Sequence, residues 1–237
     1  MSILPTEAPR MFGARYIGDK VDILYPNAIK DIKVSATLLG VGRFTRAFRL
    51  NGTIKDVILY TFFEDFSKSI LSQSFREFGS YTYHLPRIAR LGRIYYRERA
   101  VNVYRAKYYR PIPARGLTKR NEAIIDTLQD AHEGASLKFA GNIIRSRRSD
   151  DFNAYIAQAK GLPDSVRLAL EHLMFTAQDW GDHYLFDNFH TRNLGLDSRG
   201  RLVFLDPMFD MAKVQKDFDV RQRRQAQMVY NIDNLMS

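Results

Sequence analysis

Apolar and polar positions alternate from Lys33 onward, and residues 38–50 and 53–60 read as two strands because a two-residue period marks a half-buried strand. Asn51-Gly52 lies between them and is the strongest short-range signal for a hairpin. A two-residue turn there pairs Leu50 with Thr53 and Ala47 with Asp56, which puts Ala47, Ile58 and Tyr60 on one face and Lys55 on the other. Residues 62–79 change to helical spacing, with Phe63, Phe66, Ile70 and Leu71 on one stripe and Gly79 as a stop. Residues 85–92 and 100–104 form two further strands, followed by a Tyr-rich connection ending at Pro111 and Pro113. Helices are expected over 121–132 and 150–160. The longest opens at Pro163-Asp164, and its Val166, Leu170, Leu173, Met174 and Ala177 recur on a core-facing stripe. Trp180 and Gly181 end it, with Trp180 expected to pack under the loop that follows. Residues 1–35, with Pro5, Pro9, Gly13, Gly18 and Pro26 among short apolar groups, read as an extended lead-in.

The pattern is densest in chemistry over residues 187–210. Leu194 and Leu196 form a short apolar run, Asp197-Ser198-Arg199-Gly200 is a turn cluster, and residues 202–205 form a second run. A hairpin of this kind delivers Asn193 before its first strand and Asp206 after its second, so the two meet at one end. An amide oxygen beside a carboxylate suits magnesium, which takes oxygen ligands and shares its shell with nucleotide phosphates. Read alone, the same residues suit a polar hairpin in which Asn193 caps a turn and Asp206 forms a surface ion pair.

Composition narrows the classes. The chain has 237 residues, 45% of them hydrophobic and 13% aromatic, enough for a buried core. No apolar run approaches the length of a membrane span, so no membrane association is expected. The absence of cysteine removes disulfides and thiolate metal sites, which fits a cytoplasmic setting. The net charge of +10 is concentrated over residues 87–120, where eleven Lys or Arg are interleaved with tyrosines against one acid, Glu98. Such a stretch suits an acidic protein surface or a nucleic acid, or it is a solvated basic face.

Upstream, Gly40 and Gly42 precede Phe44, Ala47 and Phe48 at the start of the hairpin. Together with a helix ending at Glu77, a hinge, a long helix, the His190-Thr191-Arg192-Asn193 loop and Asp206-Pro207, this order resembles the protein-kinase-like fold. It is most similar to the early serine/threonine protein kinases of short-tailed bacteriophages, over roughly residues 38–215. The resemblance implies an α+β, bilobal architecture, with a β-rich N-lobe over 36–110 and a reduced helical C-lobe over 111–237. It also implies ATP and magnesium as cofactors. Gly40, Gly42 and Phe44 would cover the phosphates, Ala47 would pack on adenine, Glu77 would be the helix glutamate, and Asn193 and Asp206 would hold the metal. The activity implied is phosphoryl transfer to host protein hydroxyls in the host cytoplasm.

The chain departs from that pattern at two positions. The turn register puts Tyr60 where kinases carry a phosphate-gripping lysine, so Tyr60 is expected in the cleft within reach of Glu77. The catalytic aspartate position, five residues before Asn193, is Asn188, whose amide cannot accept a proton as a carboxylate does. Asp187 beside it is the alternative base. The residues after Asp206 contain no Ala-Pro-Glu segment, which moves substrate recognition to the basic stretch. The alternatives are a nucleotide-binding pseudokinase acting as an inhibitory or binding module, and a basic nucleic-acid-binding protein on the same scaffold.

Overall fold

A computed structural model describes residues 17–26, 31–41, 45–53, 55–62, 66–96, 99–113, 115–139, 157, 161–181, 184–186 and 190–210. Its N-terminal part is an antiparallel sheet of six strands in the order β1-β2-β3-β4-β6-β5. These are β1 (Lys20–Tyr25), β2 (Ile32–Val41), β3 (Thr45–Leu50), β4 (Asp56–Phe62), β5 (Ile88–Tyr96) and β6 (Arg99–Lys107). The sheet curls until its two edges approach, so that a side chain added at Gly92 of β5 would lie 3.4 Å from Pro26, just after β1. Strand β1 falls inside the stretch read as a lead-in. Val21 and Ile23 alternate with polar Lys20, Asp22 and exposed positions, and pairing with β2 covers them.

Curling produces two apolar interiors. Ile23, Leu38, Phe48, Ile58, Tyr60, Ile94 and Val103 fill the concavity of the sheet itself. The other face joins a larger core with helix α1 (Ser67–Phe78), α2 (Lys119–Phe139) and α3 (Asp164–Asp179). Leu170 and Leu173 of α3 are fully buried there on the stripe that helical spacing predicts. Each such side chain contributes about 1.5–3 kcal/mol of transfer free energy.

Helix α1 starts later than its apolar spacing predicts, because β4 continues through Phe62; Phe63 of the expected stripe lies outside the described residues. Helix α2 extends beyond residue 132 to Phe139. Nearly all of the helix expected over 150–160 lies outside the described residues. Beyond α3 come β8 (Tyr184–Phe186), a 3-10 turn (Thr191–Asn193), β9 (Leu194–Leu196), β10 (Leu202–Phe204) and β11 (Met208–Asp210). Strands β9 and β10 form the expected hairpin, extended by β7 (Arg110–Pro111), while β11 pairs with β8. The architecture is therefore α+β, a curled antiparallel sheet followed by few helices and short strands. No helix among the described residues is long and apolar enough to cross a membrane.

The turn after β3 departs from its expected register. Gly52 adopts φ 84°, and Thr53 N–H donates to the Leu50 carbonyl at 3.2 Å, so a tight turn does form. Strand pairing does not resume there. The Lys55 carbonyl instead accepts from the Tyr108 N–H at 2.7 Å, beyond β6, and Asp56 engages Arg105. Ala47 consequently pairs with Leu59, three places from Asp56, and an odd shift exchanges the two faces of the strand.

Candidate functional site

The hairpin carries the site. Leu202 pairs with Leu196 and Phe204 with Leu194, so Asn193 and the residues after Phe204 emerge at the same end. The Asn193 carbonyl accepts from Leu205 N–H at 2.8 Å and from Asp206 N–H at 3.1 Å. Asn193 is buried in the 3-10 turn, whereas the Asp206 side chain is 48% exposed. At its other end the hairpin is closed by Asp197, which accepts from Arg199 N–H, Arg201 N–H and Arg201 Nε–H at 2.8–2.9 Å. Burial alone would raise the Asp197 carboxyl, but the bonds from Arg201 and Arg199 hold it below the usual range.

Gly195 lies midway along the hairpin, where a Cβ would sit 2.8 Å from Leu205 Cδ1 and 3.0 Å from Tyr109 Cβ. Leu205 can rotate, but the Tyr109 Cβ is fixed to its backbone. Gly195→Ala is therefore expected to destabilise the fold by about 1–3 kcal/mol, the usual cost of overpacking. Thermal unfolding measures it, and an unchanged midpoint would show that β7 and β9 are not tightly seated.

The sequence pattern missed Lys68. Its side chain, 3% exposed, rises from the first turn of α1 to Asp206 Oδ1 at 2.5 Å, and also donates to the Leu205 carbonyl at 2.9 Å. A cation is disfavoured at a helix N-terminus, and the carboxylate offsets that while facing the positive end of the helix dipole. The Asp206 ion pair is thus made with a buried lysine rather than a surface one. A lysine three residues before Leu71, on the apolar side of the helix, was the available signal.

Helix α1 is held by further polar contacts. Ser69 Oγ and Tyr104 Oη of β6 are 2.6 Å apart, and Trp180 Nε1 donates to Gln73 Oε1 at 2.8 Å. Trp180 also lies 5.2 Å from the Phe66 ring, so it joins α3 to α1.

Tyr104 belongs to a cross-strand row, Gly40-Ala47-Leu59-Tyr104, on the face that α1 covers. At Gly40 a Cβ would meet nothing within 4 Å among the described residues. The residues at one end of this row, Gly40 and Ala47, are small.

Tyr60 does not belong to that row. It pairs with Arg46, is buried inside the curl against Phe48, and donates its hydroxyl proton to the Leu24 carbonyl. Burial raises its pKa above the ordinary tyrosine value, so the hydroxyl stays protonated. The expected approach of Tyr60 to Glu77 is overturned by the three-residue register difference; Lys55, placed by the expected register on the face opposite Ala47, is exposed before β4 begins. Glu77 is nine residues after Lys68, half a turn round the helix by a 100° step. It is exposed, with Arg76 at 3.6 Å. Gly42, Phe44, Asp187 and Asn188 lie outside the described residues.

A carboxylate with one oxygen free of contacts among the described residues, beside an amide-bearing residue, fits a hard cation such as magnesium. No cluster of three or more His, Asp or Glu able to hold a metal occurs among the described residues. No protein-family model matches the chain, and no curated protein matches it.

Proposed function

We propose that the chain binds magnesium-ATP between the curled sheet and the β9–β10 hairpin and transfers the γ-phosphoryl group to a serine or threonine hydroxyl. In this reading the molecule is a bilobal, protein-kinase-like phosphotransferase. The observation that carries it is the meeting of Asn193 and Asp206 at one hairpin end, with the Asp206 carboxylate facing α1 and open to solvent. Gly40 and Ala47, on the face of the sheet that α1 covers, support a place for the base. In the reaction the bond from the γ-phosphorus to its bridging oxygen breaks as the bond to the hydroxyl oxygen forms. ADP leaves, and the hydroxyl proton passes to a base or to water. Asn193 and Asp206 would hold the magnesium that neutralises phosphate charge.

A second reading, binding without transfer, is favoured by Tyr60 and Glu77, which stand on different sides of the structure and do not form the strand-to-helix pair of an active kinase. Incubation with γ-labelled ATP and magnesium separates the two. Weak incorporation into the protein's own hydroxyls is expected, raised about a hundredfold by Asn188→Asp if Asn188 occupies the base position, the usual scale of general-base catalysis. If Asp187 is the base, Asp187→Asn abolishes labelling and Asn188→Asp adds little. Nucleotide binding with no transfer in any of these proteins replaces the enzyme reading with the pseudokinase reading.

We assign substrate docking to the basic stretch, where Arg87, Arg90, Arg110, Arg115, Lys119 and Arg120 are exposed. An acidic host protein is the favoured partner. Binding of RNA or DNA with a steep salt dependence would favour a nucleic acid instead.

A further inference from the structure

We propose that Lys68, delivered by helix α1 rather than by a strand, is the cation that grips the nucleotide phosphates. The inference rests on the phosphotransferase reading and adds the phosphate-binding group which that reading lacks. Phosphoryl transfer depends on neutralising negative charge on the phosphates. The strand residue matched to that task is Tyr60, which faces the other interior and spends its hydroxyl on Leu24. Lys68 is held against Asp206, the residue assigned to the metal.

Its geometry suits a phosphate ligand. An ammonium group has three hydrogens. Leu205 O and Asp206 Oδ1 accept two of them, and the third has no acceptor among the described residues. The stem is buried, so the rotamer freedom of a long side chain is already lost before any ligand arrives. Asp206, by contrast, is half-exposed, so the pair is open to solvent from the carboxylate side. On nucleotide entry the ammonium would exchange part of its contact with Asp206 for a phosphate oxygen, releasing the carboxylate to the magnesium. Glu77 has no share in this, since it projects from the opposite side of α1.

The competing account makes the same ion pair a clamp between α1 and the hairpin. The two accounts differ in which part of the nucleotide senses the lysine. A phosphate-gripping Lys68 affects ATP and leaves adenosine untouched, whereas a clamp that shapes the cleft affects both.

Calorimetric titration of the full chain with magnesium-ATP and with adenosine, in native, Lys68→Met and Lys68→Arg proteins, tests this. Lys68→Met should weaken ATP binding about tenfold or more, the scale of one charge-assisted hydrogen bond. Adenosine affinity should stay unchanged, and Lys68→Arg should recover part of the loss. Equal weakening for both ligands, or no weakening for either, would overturn the role of Lys68 while leaving the nucleotide reading standing. Failure of the native protein to bind magnesium-ATP would overturn that reading and this inference together.

Should Lys68→Met not fold, an acyl-phosphate derivative of ATP labels the native protein directly, because a lysine amine next to the phosphates attacks the acyl carbon and releases the nucleotide. Peptide mass spectrometry should find the acyl group on Lys68 and its loss with excess magnesium-ATP. ATP-protected label on another lysine, with Lys68 unmodified, would overturn the proposal.

Discussion

Asp206→Ala is expected to lower magnesium-dependent ATP affinity by roughly a hundredfold or more. Groups one bond removed from a metal ligand already contribute about ten- to a hundredfold to metal affinity, and a direct ligand contributes at least as much. The substitution also leaves the buried Lys68 ammonium with Leu205 O as its acceptor among the described residues, which costs about 1–3 kcal/mol of stability. Asp206→Asn keeps an oxygen near Lys68 and serves as the better-folded companion, with most of the metal-dependent loss retained. Titration with ATP in the presence and absence of magnesium, alongside thermal unfolding, separates the two effects. A folded Asp206→Ala protein with native magnesium-ATP affinity would remove Asp206 from the proposed metal site.

The second large effect is on acid stability and centres on His84, buried between the sheet region, α3 and the hairpin. Its Nδ1 lies 2.7 Å from the Leu202 carbonyl, which can only accept, so Nδ1 carries the proton. Nε2 then accepts from the Ser165 hydroxyl at 3.2 Å. Burial lowers the imidazole pKa to about 4; the Leu202 bond and Asp197 oppose this, and Arg120 and Arg201 add to it. In the unfolded chain the same imidazole titrates near 6.5. Between those values the unfolded chain binds a proton that the folded chain refuses. The stabilisation is therefore complete above about pH 6.5 and is lost as pH falls towards 4. At ~1.36 kcal/mol per pKa unit the loss is on the order of 3 kcal/mol. Asp197, whose pKa is lowered on folding, adds a loss of the same sign at lower pH, below the ordinary carboxylate value. Urea unfolding of native and His84→Gln proteins from pH 7 to pH 4.5 should give a steep decline for the first and a shallower one for the second. Parallel curves would show that His84 is not the group responsible.

His84 also shows how the sheet region is joined to α3 and the hairpin. Its own segment precedes β5, Ser165 opens α3, and Leu202 begins β10, so one side chain links three elements far apart in sequence. A lone histidine between Tyr83 and Leu85 carries no local mark of that role.

Local pattern determined what depends on nearest neighbours along the chain. Alternation marked β2 and β4, helical spacing marked α3, and the Asp197–Gly200 turn between two apolar runs marked the hairpin that joins Asn193 to Asp206. Each is dictated by side-chain period or turn chemistry, and both are local. Tertiary structure alone decided the rest. Asn51-Gly52 does turn, but Lys55 and Asp56 find partners at Tyr108 and Arg105, residues about fifty positions away, and that pairing displaces the register and sends Tyr60 into the curl. Lys68 meets Asp206 across 138 positions of sequence. No periodicity records such a contact, because it exists only after the curled sheet, α1 and the hairpin have packed on one core and brought a buried ammonium to a half-exposed carboxylate.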